Sequence, residues 1–251
     1  MIDWGRAGPW ERRYSLTDYI AGRLERALDA VIDLTNGRKP KVVGYCMGGL
    51  LAAALAWRRP RDLAGLGLLA TPWDFHAESP ELARSTASFM ALFAPAIETW
   101  GELPVDAIQT LFAGLDPWLV VRKFRQFGRM AQESESATAF VALEDWLNDG
   151  IPLPAAVARD CMIGWYGRND TARGEWLIAG LPVDPTRIRV PTLAQIPERD
   201  RIVPPASALA LARAIPGCVI QTPPLGHIGM IVSNTATAIA WEPLATWLTA
   251  A

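Results

Sequence analysis

The chain has 251 residues, of which 51% are hydrophobic and 20% are charged, and its formal net charge is −2. This length suits one domain, or one core with a large insertion, and is enough to bury a sizeable core. The charge balance argues against nucleic-acid binding, which needs a basic surface, and no stretch approaches the roughly 18 uninterrupted apolar residues of a membrane span.

The first part of the chain alternates between helix-like and strand-like patterns. Residues 15–35 repeat apolar side chains at helical spacing, and Asn36-Gly37 supplies a helix end. The apolar run at 41–45 predicts a buried strand, the Ala/Leu-rich stretch at 47–58 predicts a helix, and 63–71 predicts a second strand. This alternation indicates a parallel sheet with crossover helices.

The pattern changes between His76 and Arg187. This stretch contains no convincing strand, and its predicted helices span 79–99, 105–112, 117–132, 136–148 and 155–166. Insertions of about 110 residues are usually functional lids rather than spacers. We therefore expect residues 76–187 to form a helical cap.

Strand patterns return in the last part of the chain. We predict strands at 188–196 and 218–222, a helix at 205–214 between them, and a final helix at 232–249. The predicted architecture is an α/β core formed by residues 1–75 and 188–251, and the helical cap interrupts it.

The segment Gly44-Tyr45-Cys46-Met47-Gly48 lies between the first predicted strand and its helix. It fits a nucleophile elbow with Cys46 in place of serine, where the residues two positions away must be nearly free of side chain. At a helix N-terminus a thiolate is favoured, and the Met47 N–H would face a developing oxyanion. The alternative is that Cys46 is a small residue packed under the turn.

A cysteine nucleophile needs a base, and the chain has two histidines, His76 and His227. In α/β-hydrolase folds the order along the chain is nucleophile, acid, histidine. His227 follows the last predicted strand and fits this order, whereas His76 opens the insertion and is interpreted as a surface or lid residue. For the acid, Glu198 and Asp200 follow the strand at 188–196, and Asp200 is in the expected place. The alternatives are a capping histidine and a solvated turn carboxylate.

The three cysteines, Cys46, Cys161 and Cys218, are odd in number and widely spaced. This argues against a disulfide framework and favours a reducing, cytoplasmic compartment. No Cys-x-x-Cys motif or His/Cys cluster occurs, so no metal site is predicted. The N-terminus, MIDWGRAGPWERR, has no apolar segment of a signal peptide. Cys161 and Cys218 lie in apolar contexts and are expected to be inert.

Five motifs stand in order along the chain: IDWGRAGPWERRYSLTDYI, GYCMGG, LLATPWDF, RDRIVPPASALAL and GHIGMIVS. Together they resemble the polyhydroxyalkanoate synthases of the α/β-hydrolase superfamily. The segment FVALEDWLNDGIPLPAAVARDCMIGWYGRND also resembles part of the helical cap of these enzymes. The resemblance runs almost end to end and implies an α/β-hydrolase-type, mostly parallel sheet with a helical cap.

The resemblance implies acyl transfer without hydrolysis. Cys46 would be the acylated nucleophile, His227 its base and Asp200 the third member of the triad. The substrate would be an (R)-3-hydroxyacyl-CoA thioester and the product a polyester, with no permanently bound cofactor and no metal. A homodimer or a partner synthase that contacts the cap, and a location at polymer granules, are further expectations.

The chain departs from that family at its start, because Met1-Ile2-Asp3-Trp4 matches the middle of the catalytic domain. We therefore expect an N-terminally incomplete sheet that lacks the loop with the second oxyanion donor. Loss of one such donor can lower the rate by about 10²–10³. A truncated gene, a domain completed by another chain, and a degenerate paralogue are the three explanations.

Other functions remain open from the sequence. A dienelactone-hydrolase-like esterase has a similar elbow but no insertion of this size. A polyester or thioester hydrolase would use the same triad with water as the acceptor. An inactive synthase-like module that binds a partner synthase or a polymer granule is the non-enzymatic alternative.

Overall fold

The computed structural model describes residues 1–115 and 118–250. Its strands, in chain order, are β1 (Lys41–Tyr45), β2 (Gly65–Leu69), β3 (Glu102–Leu103), β4 (Leu153–Pro154), β5 (Leu177–Ile178), β6 (Leu181–Pro182), β7 (Thr192–Gln195) and β8 (Val219–Gln221). Pro117, where one predicted helix begins, and Ala251, where the predicted core ends, lie outside the described residues.

The α-helices are α1 (Glu25–Leu34), α2 (Met47–Arg58), α3 (Pro80–Ala91), α4 (Ala94–Trp100), α5 (Val105–Leu115), α6 (Leu119–Phe127), α7 (Glu135–Asn148), α8 (Ala155–Arg159), α9 (Pro205–Ala214), α10 (Gly229–Val232) and α11 (Glu242–Thr249). π-Helical turns run through Asp18–Leu24, Asp160–Arg168 and Thr237–Trp241, and short 3-10 helices through Glu11–Arg13 and Pro185–Arg187. Within the described ranges, no helix combines the length and the apolar character needed to cross a bilayer.

The central sheet has the strand order β1-β2-β7-β8, and its neighbouring strands are parallel. The predicted α/β class is thus confirmed. β2 is buried along its whole length, whereas β1 pairs with β2 alone among the described strands. Since the strands are parallel, the loops that follow β1, β7 and β8 meet at one edge of the sheet.

The main core lies between this sheet and its crossover helices. α2 buries its Leu/Ala-rich middle, and the helical stretch 18–34 and α9 pack around the same cluster. Its largest fully buried side chains include Leu16, Ile20, Leu50, Leu55, Leu66 and Leu211. Burial of this apolar surface is the main force that fixes the turn between β1 and α2.

Two predicted helices are each divided in the structure. The helix predicted at 79–99 is split into α3 and α4, because Pro95 lies in the first turn of α4 and cannot continue a preceding helix. The helix predicted at 232–249 starts at the last residue of α10, is interrupted at 233–235, and continues as the π-helical stretch and α11. The insertion also holds β3 paired with β4 and β5 paired with β6. These two-residue strands are too short to leave a recognisable alternation in the sequence.

Candidate active site

Cys46 lies on the tight turn between β1 and α2. Its backbone angles are φ 53° and ψ −124°, and a residue with a side chain adopts such a conformation at a cost of about 1–3 kcal/mol. The Cys46 N–H donates to the Leu69 carbonyl at 2.8 Å, and the Gly49 N–H donates to the Cys46 carbonyl at 2.9 Å. Strain at a strand-to-helix turn is typical of a nucleophile elbow.

Two glycines allow this turn. A Cβ at Gly44 would lie 2.3 Å from the Gly48 carbonyl oxygen, and a Cβ at Gly49 would lie 1.9 Å from Thr71 Oγ1. The predicted steric requirement is therefore confirmed for Gly44. It is wrong for Gly48, whose added Cβ would meet nothing within 4 Å, because Gly48 faces open space beside β1.

Asp200 and His227 form a buried pair at the ends of β7 and β8. His227 Nδ1 lies 2.6 Å from Asp200 Oδ2, and the two residues are only 6% and 5% exposed. Asp200 Oδ1 accepts hydrogen bonds from the backbone N–H groups of Ile202 at 2.9 Å and Val203 at 2.8 Å. A carboxylate only accepts hydrogen bonds, so Nδ1 carries the proton that it donates to Asp200. Nε2 is then the ring nitrogen that can exchange a proton with Cys46.

The surroundings of His227 favour its charged form. Burial by itself would lower the pKa of His227, but hydrogen bonds with Asp200 and Cys46, together with their negative charges, outweigh burial and raise this pKa to about 9. A protonated imidazole beside the sulfur can pair with a thiolate. The structure thus brings Cys46, His227 and Asp200 together, and their chemical roles stay predictions.

Tyr45, which no sequence pattern indicated as a site residue, supports His227. Its hydroxyl donates to the His227 carbonyl at 3.1 Å, and the two rings are tilted by 36° with centroids 4.8 Å apart. Burial, and then the charges of Cys46 and Asp200, raise the pKa of Tyr45, so its hydroxyl remains a donor at neutral pH. Its position as the last residue of β1, directly before Cys46, could have indicated from the sequence that Tyr45 lies at the site.

Three further residues considered from the sequence lie outside the triad. Met47 is the first residue of α2, so its N–H has no acceptor within the helix. Glu198 is exposed. His76 donates from Nε2 to the Tyr166 carbonyl at 2.8 Å, so it joins the loop after β2 to the Asp160–Arg168 helix.

The two remaining cysteines have less reactive surroundings. Burial raises the pKa of the Cys161 thiol, and it raises the pKa of Cys218 to about 11. Both thiols therefore ionise less readily than a free cysteine. Among the residues that the structure describes, no group of three or more His, Cys, Asp or Glu side chains is arranged to hold a metal ion.

A cavity of about 730 Å³ lies between the Asp200 loop and the start of the cap. Its volume is within the range of roughly 300–1,000 Å³ that is usual for small-molecule sites. Phe75, Leu82, Tyr166, Asp200 and Ile202 are among its lining residues. Of the three triad candidates, Asp200 lines this cavity and Cys46 and His227 do not, so the cavity borders the site on the side of the acid.

Comparison with known protein families gives one extended match. The chain matches the family described as "alpha/beta hydrolase fold" over residues 3–233. This match covers most of the chain and includes Cys46, Asp200 and His227.

Curated relatives are poly(3-hydroxyalkanoate) polymerase subunits. The subunit from Haloferax mediterranei is 26% identical over 251 residues, with 98% of this chain and 51% of that protein covered. The subunit from Synechocystis is 28% identical over 258 residues, with 99% of this chain and 68% of that protein covered. The chain therefore spans about half to two thirds of these relatives.

Solved structures agree on the fold. A monoacylglycerol lipase from Paleococcus ferrophilus matches with a TM-score of 0.57 at 18% identity, over 94% of this chain and 75% of the lipase. An alpha/beta fold family hydrolase from Bacillus anthracis matches with a TM-score of 0.54 at 11% identity, over 93% of this chain and 76% of the hydrolase. At these identities the likeness concerns the fold alone.

Proposed function

The chain belongs to the alpha/beta hydrolase fold family, and from this premise we propose that it is an acyltransferase of the poly(3-hydroxyalkanoate) polymerase type. Cys46 takes the acyl group from an (R)-3-hydroxyacyl-CoA and passes it to a hydroxyl group, which extends a polyester. The observation that carries the proposal is a cysteine on a strained elbow beside a buried His227–Asp200 pair. The similarity to polymerase subunits along nearly the whole chain supports the choice of substrate.

In the first step the Cys46 sulfur attacks the thioester carbonyl carbon. The carbonyl oxygen becomes an oxyanion, and the free Met47 N–H donates to it. When the oxyanion collapses, the bond to the sulfur of coenzyme A breaks and His227 gives its proton to the departing thiolate. Asp200 holds the imidazole through Nδ1 during this transfer.

In the second step His227 Nε2, now unprotonated, takes the proton of an incoming hydroxyl group. The hydroxyl oxygen attacks the acyl-cysteine, an ester bond forms, and Cys46 leaves as a thiolate that pairs again with the imidazolium. A sulfur nucleophile suits this exchange because an acyl-cysteine is itself a thioester and keeps the acyl group reactive. Coenzyme A enters and leaves as part of the substrate, and the proposed reaction uses no resident cofactor or metal.

The partners belong to the same proposal. Trp118, Phe124 and Trp146 of the insertion are each exposed, and we assign the cap to contact with a second copy or with a partner polymerase. The proposed place of action is the cytoplasmic surface of a polymer granule, where the product accumulates.

The test follows acylation of Cys46 directly. The purified chain is mixed with (R)-3-hydroxybutyryl-CoA, with and without a partner polymerase, and free CoA is measured by chromatography while the mass of the Cys46 peptide is recorded. The wild type releases CoA and gains one acyl mass on Cys46, whereas Cys46→Ala does neither. Cys218→Ala is the matched control, because it removes another cysteine that is not fully buried, and it behaves as the wild type.

The products separate the proposal from its rivals. Ester-linked oligomers support the transferase. Free hydroxy acid alone identifies a hydrolase with water as the acceptor. Absence of acyl-Cys46 under both conditions overturns the enzymatic function and favours a binding module.

A further inference from the structure

A cavity of about 180 Å³ lies at the first turn of α2, directly after Cys46. Met47 and Gly48 line it, and a Cβ at Gly48 would meet nothing within 4 Å. Gly48 and Leu51 also border the space along β1, so the cavity lies on the β1 side of the elbow. The N-terminal segment and the insertion supply the rest of its wall, including Ala7, Leu16, Ile151, Leu153 and Val157.

The wall of this cavity is apolar and held by packing. Trp4 and Tyr19 meet edge to face in it, with ring centroids 5.3 Å apart and an angle of 88°. Leu16 and Val157 are 2% and 3% exposed and belong to the main core. None of the described residues that line the cavity has a charged side chain. Such a wall favours an alkyl group and disfavours the phosphates of coenzyme A.

The proposed acylation needs a place for an alkyl chain on this side. In the tetrahedral intermediate the carbon carries Cys46 Sγ, the oxyanion, the sulfur of coenzyme A and the acyl chain. The Met47 N–H faces the oxyanion, and the sulfur of coenzyme A must lie near His227, which gives it a proton. His227 is in the loop after β8, and β8 is at the opposite end of the sheet from β1. The acyl chain is therefore directed towards the β1 side, where the cavity is.

We propose that this cavity is the subsite for the alkyl chain of the hydroxyacyl group, and that Val157 and Ile151 of the insertion limit the length of that chain. The inference rests on the proposed function and names the part of the substrate that the insertion recognises. An apolar cavity of about 150 Å³ holds a benzene molecule. A cavity of about 180 Å³ therefore accommodates the short chain of a 3-hydroxybutyryl group, whereas a 3-hydroxyoctanoyl chain exceeds it.

The test measures single-turnover acylation of Cys46 by (R)-3-hydroxyoctanoyl-CoA and by (R)-3-hydroxybutyryl-CoA, and takes the ratio of the two rates. Val157→Ala enlarges the cavity. Because one methylene in a hydrophobic pocket changes discrimination by about 10-fold or more, we expect the octanoyl-to-butyryl ratio to rise about tenfold. Val190→Ala is the matched control, since it makes the same truncation in the same core but does not line the cavity. Its ratio equals that of the wild type.

A second variant narrows the cavity at a position where the fold tolerates change. Ile151 is 44% exposed, so Ile151→Trp remains a test even if Val157→Ala does not fold. Its larger side chain takes up space in the cavity, and we expect the ratio to fall by about tenfold. Ile163→Trp is its control, because Ile163 is 48% exposed and does not line the cavity.

The other outcomes overturn the inference. Acylation of the wild type with the same ratio in Val157→Ala and Ile151→Trp overturns the subsite and leaves the proposed function standing. An equal fall of both rates in these variants overturns it too, because the elbow rather than the choice of chain would then be disturbed. If neither thioester acylates the wild type, the proposed function and this inference fall together.

Discussion

The two halves of the candidate site are built differently. On the acid side, both oxygens of Asp200 are hydrogen-bonded, and the strands β7 and β8 lie side by side beneath the pair. On the nucleophile side, β1 has β2 as its sole partner among the described strands. A cavity of about 580 Å³ runs along the other edge of β1 and reaches Gly48.

This difference shows that the elbow keeps its shape although β1 is paired with a strand, β2, along one edge alone among the described strands. The Cys46 N–H is anchored to Leu69 of β2, and Gly44 and Gly49 let α2 approach the sheet. The acid–histidine pair is complete within the described residues, whereas the space beside Gly48 is open. Substitutions of Asp200 or His227 should therefore affect chemistry first, and substitutions of the glycines that support the elbow should affect stability first.

The largest expected effect comes from Asp200→Asn. The amide oxygen can still accept from the Ile202 and Val203 N–H groups, but the NH₂ group then faces His227 Nδ1. Nδ1 then carries no proton and Nε2 does, so the neutral ring can no longer take the proton that Cys46 loses when it becomes a thiolate. We therefore expect the acylation rate to fall by about 10⁴-fold. The rate of CoA release in a single turnover is the measurement.

Glu198→Gln is the matched control for that change, because Glu198 is an exposed carboxylate two residues away. Its CoA release should equal that of the wild type. Equal losses in the two variants, or no loss for Asp200→Asn, would contradict the assignment of the acid.

A smaller effect is expected at the elbow, where two adjacent glycines of α2 differ. In Gly49→Ala the new methyl group collides with Thr71, and such overpacking destabilises by about 1–3 kcal/mol. In Gly48→Ala the methyl group enters open space, and alanine favours the helix by about 0.5–1 kcal/mol over glycine. Urea unfolding of both variants measures the free energies.

Opposite signs for these two variants would confirm that the elbow is packed against β2 and open on its other side. Destabilisation of similar size at both positions would show that the space beside Gly48 is filled in solution, and the contrast between the two halves of the site would then be lost.

The sequence was sufficient to predict that the site residues in the loops after strands come together. Cys46 comes directly after a predicted strand, and Asp200 and His227 lie in the loops that follow two others. The carboxyl ends of parallel strands converge whatever the details of the loops. Glu198 and Asp200 were both candidates, and backbone N–H groups around Asp200 distinguish them in the structure. The fold class followed from the alternation of strands and helices.

The parts that the sequence did not reveal depend on contacts between distant segments. Tyr166 reaches the cavity from the insertion, and nothing in its local pattern indicates which side of the core the cap covers. The need for a glycine at 49 depends on Thr71, which follows a different strand. Of the two-residue strands in the insertion, β3 pairs with β4 across about fifty residues, whereas β5 pairs with β6 in a local hairpin. All four strands are too short to show a local periodicity.

The smallest expected effect is a change in the titration of His227. Because its pKa is raised from the ordinary 6.5 to about 9, the contacts of its charged form stabilise the fold fully below pH 6.5. This contribution is lost as the pH rises through 9. Cys46→Ala removes one hydrogen bond and one negative charge from the ring, so the titration midpoint should fall.

Histidine NMR of wild type and Cys46→Ala measures this midpoint, and His76→Gln assigns the two ring signals. Between pH 6 and 9.5 the free energy of unfolding should decline more in the wild type than in Cys46→Ala. The wild type loses more stabilisation when the ring loses its proton, because its charged ring also interacts with the sulfur. An unchanged midpoint would mean that the sulfur and the ring do not interact. The elbow and the acid–histidine pair would then be two separate structures, without the shared proton on which acyl transfer depends.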